Sequence, residues 1–310
     1  MFVVSAGRTA TTFFGEALND IIPGVAAVHE PDALHLLPHW TWRRRLTNAV
    51  GKIKQFGWYH MIVGRALGRT GIRNVARRYL AGETDLETAA AQVRKQRLEY
   101  FRSLEADIVV EAAYYWFGLL DVIPHVFPEY RILGVVRDPR TWVSSILNLG
   151  GHHDQFDVVR RFGGRRVDPH SIEDTRYAAR WTSMSSFEKN CWDWSLVARL
   201  LMERADQDPN IRLVRYEDLF FGEGRAQHLT DALRFITMFS DRTFPVNLDS
   251  ELVQRRVNEA PIERFPHWRE WSAVEIAAMA EICGPLMTRL GYGLEDEWQS
   301  RVRDLRIDQP

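Results

Sequence analysis

The segment FVVSAGRTATTFFGEAL (residues 2–18) determines the fold of this chain. It begins with a short apolar run, continues through a loop that contains one glycine, one arginine and three threonines, and ends in a helix-like stretch. A strand, a tight loop and a helix in this order point backbone N–H groups at an anion. The segment therefore predicts a phosphate-binding loop, to which Arg8 adds a fixed positive charge. The alternative is an ordinary helix start after a strand.

The loop differs from that of P-loop kinases and nucleotide hydrolases. Their motif G-x-x-x-x-G-K-[ST] needs a second glycine and a lysine, and neither follows Gly7 at the required spacing. Such enzymes also hold Mg²⁺ on an aspartate at a strand end. The obvious candidate here, Asp138, is preceded by Arg137. The pattern thus disfavours a P-loop kinase.

Length and composition describe a folded protein with a large core. The chain has 310 residues, of which 45% are hydrophobic, and a formal net charge of −1. No run of about 18 apolar residues predicts a membrane span. Cys191 and Cys283 are the two cysteines, and their distant positions favour buried thiols over a disulfide or a metal site. No signal peptide is recognisable at the first residues, which predicts a cytoplasmic location.

Positive charge is concentrated in residues 41–80. This stretch contains ten Lys or Arg residues and no Asp or Glu, although the whole chain has a net charge of −1. Such an asymmetry predicts an anion-facing surface, either for a polysaccharide acceptor or for peripheral contact with the inner face of a membrane. A solvated helical face that acidic residues elsewhere balance is the alternative. Nucleic acid is disfavoured because no recognition motif accompanies the charge.

Short buried strands alternate with helices along the chain. Apolar runs predict strands at residues 24–28, 106–111, 131–136 and 211–215, and helical patterns lie between and beyond them, including 116–126 and a last long helix at 273–290. This alternation predicts an α/β fold: a P-loop-like, three-layer arrangement with a mostly parallel sheet and helices on both faces. We expect one domain over 1–310, with a basic helical insertion at about 40–105 and a lid loop at about 150–185.

Four segments together resemble the sulfotransferases that use 3′-phosphoadenosine 5′-phosphosulfate (PAPS). SAGRTATTFF (5–14) resembles their 5′-phosphosulfate loop, and VRDPRTWVSS (136–145) their 3′-phosphate segment. RYEDL (215–219) is similar to the family's Y-E-D-L. The fourth segment is the last predicted helix with its flanks, where WRE (268–270) before the helix and LGY (290–292) at its end are also typical. The resemblance spans nearly the whole chain in the family's order.

This resemblance implies a donor site without a metal ion, with PAPS as donor and 3′-phosphoadenosine 5′-phosphate (PAP) as product. The implied 5′-phosphosulfate contacts are Gly7, Arg8, Thr9, Ala10, Thr11 and Thr12. Arg137 and Ser145 would hold the 3′-phosphate. Tyr216 would lie near the adenine, and Trp268 and Arg269 would close over the donor, with plain packing as the alternative for these three.

Departures from the family pattern suggest which branch the chain resembles. Ala10 stands where the family usually has glycine, Thr9 replaces a serine, and the R-K-G segment of aryl sulfotransferases is missing. These differences favour the bacterial or carbohydrate-type branch, with a hydroxyl acceptor on a small molecule, glycolipid or polysaccharide. A kinase-like nucleotide-binding protein and a non-catalytic scaffold are the rival interpretations. The oligomeric state stays open.

Sulfuryl transfer to a hydroxyl requires a general base. Glu30 is the first candidate, because it follows a predicted strand 22 positions after Arg8, where related enzymes carry an acidic base. His29 is second, because its side chain would point to the opposite face if the strand continues. Glu111, at another strand end, is third and could instead pair with Arg8 or a donor-binding arginine. We expect His152 and His153, in the predicted lid, to contact the acceptor or to be exposed.

Overall fold

A parallel five-stranded sheet runs through the computed structural model, which describes residues 1–33, 41–149, 152–153, 166–238, 244–246 and 265–307. The apolar runs of the sequence form its strands, as expected for strands that are buried on both faces. They are β1 (Phe2–Ser5), β2 (Val25–His29), β3 (Ile108–Ala112), β4 (Ile132–Val136) and β5 (Ile211–Arg215). The predicted α/β class and mostly parallel sheet are thus confirmed.

The helices lie between the strands in sequence and, in the last third of the chain, after them. In the first half they are α1 (Thr11–Glu16), α2 (Leu18–Ile21), α3 (Trp42–Phe56), α4 (Gly64–Ala66), α5 (Ile72–Leu80), α6 (Leu86–Arg102) and α7 (Ile123–Val126). In the second half they are α8 (Pro139–Leu147), α9 (Thr175–Ala178), α10 (Ser186–Ala205), α11 (Tyr216–Phe220), α12 (Arg225–Thr237), α13 (Ala273–Ile282), α14 (Gly284–Arg289) and α15 (Asp296–Ile307). A π-helical turn at Tyr59–Val63 and 3₁₀ turns at Tyr114–Leu119 and Trp268–Glu270 complete the described helical structure.

The strand order β2-β3-β1-β4-β5 places β1 at the centre. Adjacent strands run parallel throughout, with Val3 opposite Leu133 on one side of β1 and opposite Ala112 on the other. All five carboxyl ends therefore lie along one edge. The chain leaves β1 toward β2 and later crosses to β4, so a topological switch point lies between β1 and β4. Ligands of open α/β sheets bind at such a point.

Alternation along β1 supplies both faces of the sheet. Phe2 and Val4 belong to the core that also contains Trp142 of α8, whereas Val3 belongs to the opposite core with Phe13 of α1. The helices that follow β1 and β4 therefore pack on opposite faces. Between them the loops after β1 and β4 face each other across the crevice, which is where the predicted donor site would have to form.

Two helix predictions were wrong in their extent. The helix expected at 116–126 is a 3₁₀ turn followed by the short α7, because Pro124 lacks the N–H that a continuing helix would need. The helix expected at 273–290 is divided into α13 and α14 at Cys283, just before Pro285. The last helix is instead α15, which was not predicted although Trp298, Val302 and Leu305 recur at helical spacing among its charged residues.

The predicted lid lies partly outside the described residues, since 150–151 and 154–165 are not among them. Of the part that is described, residues 166–185 contain α9. None of the helices that the structure describes is both long and apolar enough to cross a membrane.

Candidate functional site

The loop after β1 has an unusual backbone. Gly7, Arg8 and Ala10 all have positive φ, at 79°, 50° and 60°. Thr9 Oγ1 donates a 2.8 Å hydrogen bond to the Gly7 carbonyl, and the Gly7 N–H donates to Ser5 Oγ at 3.1 Å. Left-handed residues in a short loop fold the backbone into a concave turn of the kind that binds anions. The loop geometry therefore suits the predicted phosphate contacts, and α1 begins directly after it at Thr11.

The loops after β1 and β4 meet through arginines. Arg137 donates from Nη1 to the Arg8 carbonyl at 3.1 Å and from Nε to Thr141 Oγ1 at 3.0 Å. Arg8 Nε lies 3.5 Å from Ser145 Oγ, on α8. The Arg137 guanidinium also lies 5.0 Å from the centre of the Tyr216 ring. Four residues that are far apart in sequence and were predicted to bind the nucleotide thus form one cluster at the switch point: Arg8, Arg137, Ser145 and Tyr216.

This cluster concentrates positive charge. Burial first, and then the neighbouring Arg137, lower the pKa of Arg8 below its ordinary value. Among the described residues, no carboxylate forms an ion pair with Arg137. Two guanidinium groups that disfavour each other's charge in a half-buried crevice are stabilised by an anion between or beside them. The electrostatics thus favour binding of a phosphate-like group.

Two buried indoles hold the backbone of this crevice. Trp142 Nε1 donates to the Gly7 carbonyl at 2.7 Å, and Trp194 Nε1 donates to the Arg137 carbonyl at 2.9 Å. Each indole fixes one of the two facing loops, because a buried N–H needs its acceptor. Trp142 therefore has a packing role beside the loop after β1.

Trp268 and Arg269 lie in a packing cluster with the C-terminal helix. Trp268 is buried, and its ring packs 5.8 Å from that of Trp298 and 4.6 Å from the guanidinium of Arg140. Arg269 is exposed and pairs with Glu297 at 2.8 Å. These contacts match the packing alternative, and through Arg140 they place Trp268 against α8.

Glu30 and His29 lie where β2 ends at the carboxyl edge. Glu30 is half-buried and has a φ of 41°, and its N–H donates to the Ala112 carbonyl at 3.3 Å. Burial first, and then Arg166, lower the pKa of Arg73 to about 9. The negative charge of Glu30 opposes this shift. His29 Nδ1 lies 2.9 Å from the same Ala112 carbonyl. A left-handed glutamate is strained, and strain of this kind is concentrated at functional sites.

Glu111 has a different environment from that of a general base. It is fully buried, and Arg97 Nε donates to its Oε2 at 2.7 Å. Arg97 also bridges to Asp32 at 2.9 Å, and Arg65 approaches Asp32 at 3.3 Å. Burial raises the pKa of Glu111 and Arg97 opposes that rise. The predicted arginine partner therefore exists, but it is Arg97 rather than Arg8, and it encloses the carboxylate.

A histidine–aspartate pair lies beside the loop and was not predicted. His152 Nδ1 lies 2.8 Å from Asp193 Oδ2, and the Tyr114 hydroxyl donates to Asp193 Oδ1 at 2.7 Å. The His152 ring packs edge-on against Trp142, which itself contacts Gly7. Burial lowers the pKa of His152 to about 3, so the ring is neutral at pH 7. The sequence signal was Asp193 itself, a carboxylate between two tryptophans on a buried helix.

In the part of the chain that the structure describes, no group of three or more His, Cys, Asp or Glu side chains is placed to hold a metal ion.

Comparison with known proteins gives distant structural likenesses. No protein-family model and no curated protein matches the chain. The sulfotransferase domain from the curacin biosynthetic pathway is 14% identical, with a TM-score of 0.40, over 100% of this chain and 98% of that chain. The sulfotransferase domain from the Synechococcus PCC 7002 olefin synthase is 16% identical, with a TM-score of 0.41, over 100% and 94%. Likeness at this level does not extend to chemistry, which has to follow from the contacts described above.

Proposed function

We propose that this chain is a sulfotransferase that moves the sulfuryl group of PAPS to a hydroxyl acceptor and releases PAP. The observation that carries the proposal is the meeting of Arg8, Arg137 and Ser145 at the switch point between β1 and β4. A donor with phosphate groups at both its 3′ and 5′ positions needs two cationic contacts, and guanidinium groups suit phosphate oxygens. The sequence resemblance supplies the donor's identity.

The proposed reaction is an in-line displacement at sulfur. The acceptor oxygen forms a bond to sulfur while the bond between sulfur and the 5′-phosphate oxygen breaks, and that oxygen keeps the electron pair. Arg8 and the concave loop would stabilise the charge that develops on the departing phosphate. Glu30 would accept the proton of the acceptor hydroxyl.

We further propose an acceptor hydroxyl on a carbohydrate or glycolipid. Its support comes from the sequence departures at Thr9 and Ala10, which favour the carbohydrate-type branch. Transfer of radiolabelled sulfate from PAPS onto a panel of sugars, glycolipids and phenols tests this choice. Labelling of phenols alone would contradict it.

Donor binding is the first test of the whole proposal. We expect calorimetric titration to show that PAP binds more tightly than adenosine 5′-phosphate, and than ATP with Mg²⁺. Arg137→Ala should weaken PAP binding about 10- to 100-fold, because a charge-assisted hydrogen bond contributes about 1.5–3 kcal/mol. The same substitution should leave binding of adenosine 5′-phosphate nearly unchanged.

Arg204→Ala is the matched control, because Arg204 lies near the C-terminal end of α10 and forms an ion pair with Asp121. It should bind PAP as the unmodified protein does. If the 3′-phosphate gives no preference, the sulfotransferase proposal is wrong and a kinase-like nucleotide-binding protein becomes the better interpretation. PAP binding without any transfer to the acceptor panel would favour the non-catalytic scaffold.

A further inference from the structure

The helix α3 lies on the surface and exposes apolar side chains. None of its fifteen residues is buried. Trp42 is 68% exposed, Leu46 55% and Val50 41%. These three residues are four positions apart, so they form one row along the helix, the α3 apolar row. Large exposed apolar side chains that are grouped in this way mark an interaction surface.

The α3 apolar row continues the face by which the helix contacts the protein. At about 100° per residue, Ile53 lies about 20° from Trp42 around the helix axis, and Leu46 and Val50 lie about 40° and 80° away on the same side. Ile53 is half-buried, whereas the row is exposed. The apolar face is therefore wider than its contact with the body of the protein, and its outer half faces solvent.

Exposed basic residues border this row. By the same geometry Arg43 lies about 100° and Lys54 about 120° from Trp42 around the helix axis. Both angles are just beyond the angle of about 80° for Val50. Both are exposed, and the Arg43 guanidinium lies 5.6 Å from the Trp42 ring. No acidic residue occurs between positions 41 and 80 to oppose them. The helix thus presents an apolar strip with a cationic border.

The predicted basic stretch is divided by the fold. Lys52 donates to the Pro31 carbonyl, Arg65 faces Asp32, and Arg73 contacts the Tyr115 hydroxyl, so these three point inward. Arg77 pairs with Glu83. Of these four, Arg65 and Arg77 have acidic partners. The exposed basic residues Arg43 and Lys54, by contrast, are on α3.

We propose that α3 lies on an anionic lipid surface, with Trp42, Leu46 and Val50 in the interface and Arg43 and Lys54 near the headgroups. Amphipathic helices of this composition bind in the plane of a membrane. A polysaccharide would pair with the arginines but would gain little from an exposed Leu–Val row. A second copy of the chain would have to place one cationic border against another. The inference does not depend on the proposed sulfotransferase activity.

Vesicle co-sedimentation of the full chain tests this surface. We expect binding to vesicles of phosphatidylcholine with about a third phosphatidylserine, and little binding to phosphatidylcholine alone. Arg43→Gln/Lys54→Gln should lower the partition coefficient about 25-fold, since each basic residue near the surface contributes about a factor of five. Trp42→Ser/Leu46→Ser/Val50→Ser should also lower it at least tenfold. Circular dichroism and urea denaturation establish that the variants remain folded.

Val274→Ser/Lys95→Gln is the matched control, because Val274 is 75% exposed and Lys95 is exposed outside residues 41–80. It should bind vesicles normally. The proposal would be overturned in favour of a polysaccharide by two results together. The apolar substitutions would leave vesicle binding unchanged, and the protein would be retained on immobilised heparin. Concentration-dependent dimers in light scattering that the apolar substitutions abolish, without vesicle binding, would overturn it in favour of self-association.

Discussion

Ala10 adopts a left-handed conformation that costs an alanine free energy and a glycine almost none. Its φ and ψ are 60° and 13°. The sequence marked this position as a departure from the family's usual glycine, and the structure retains the backbone shape that glycine favours. The concave turn therefore strains the backbone at Ala10. Its Cβ atom lies too close to the following carbonyl oxygen, which costs about 1–2 kcal/mol.

We predict that Ala10→Gly raises the free energy of unfolding by up to about 1 kcal/mol. Relief of the left-handed strain outweighs the extra entropy that glycine gives the unfolded chain. Ala17→Gly is the control, because Ala17 is also half-buried but has a helical φ of −71°. It should lower the free energy of unfolding by about 1 kcal/mol. Urea denaturation measures both, and equal losses in the two variants would contradict the strain at Ala10.

Glu30 and His152 are two candidates for the general base of the proposed reaction, beside the predicted His29. Glu30 lies at the end of β2 in a strained conformation, and His152 is a neutral imidazole oriented by Asp193. We predict that Glu30→Gln lowers kcat by about 10²–10⁴-fold, as expected for loss of a general base. PAP affinity should change less than twofold. His152→Asn should have a smaller effect on kcat.

Glu105→Gln is the matched control for Glu30→Gln. Glu105 is also a left-handed glutamate, with a φ of 50°, but it is exposed and precedes β3 at the amino end of the sheet. Its substitution should leave kcat unchanged. A larger loss in His152→Asn than in Glu30→Gln would move the base role to the His152–Asp193 pair.

At the scale of secondary-structure elements, the sequence predicted the strands better than the helices. Each strand is a short apolar run, and burial on both faces leaves little freedom for another structure. The crevice was also predictable, because Arg8 and Arg137 each follow a strand whose carboxyl end lies on the same edge. The helix α15 was not predicted, although Trp298, Val302 and Leu305 recur in it at helical spacing, because charged residues make up much of the rest of its sequence.

Side-chain partners between elements were less predictable, because they depend on how the insertion packs. Nothing in the local sequence indicates that Glu111 selects Arg97 or that Asp193 selects His152. Trp268 and Arg269 show the same limit: the segment was recognisable, but its contacts with Trp298 and Glu297 depend on α15. Positions along the sheet edge follow from periodicity, whereas the choice among nearby charges needs three-dimensional packing.

At the scale of the whole molecule, Asp32 connects the helical insertion to the sheet. It follows β2 and faces Arg65 before α5, Arg97 of α6 and the imidazole of His60 at 3.5 Å. Arg97 in turn holds Glu111 of β3. The insertion and the sheet therefore share one buried charge network next to the strand end that carries Glu30.

The pH dependence of stability reports on this network. Burial would raise the pKa of Asp32, but Arg97, His60 and Arg65 outweigh it and hold that pKa well below its ordinary value. A carboxylate with a lowered folded pKa stabilises the protein above its unfolded pKa, and this contribution is lost as the pH falls. The raised pKa of Glu111 acts in the opposite direction. We expect Asp32 to dominate, because the two guanidinium groups of Arg97 and Arg65 face it.

We predict that Asp32→Asn lowers the free energy of unfolding by about 3–5 kcal/mol at pH 7, because it leaves Arg97 and Arg65 buried without their counter-charge. The loss should be constant down to about pH 5. It should shrink at lower pH, because protonation of Asp32 then removes the stability that the ionised carboxylate gives the unmodified protein. Urea denaturation at pH 7, 5, 4 and 3.5 measures this difference. Asp304→Asn, an exposed position on α15, should change stability by less than about 0.5 kcal/mol at every pH. A loss in Asp32→Asn that stays the same from pH 7 to pH 3.5 would mean that the ionised Asp32 does not hold the insertion to the sheet.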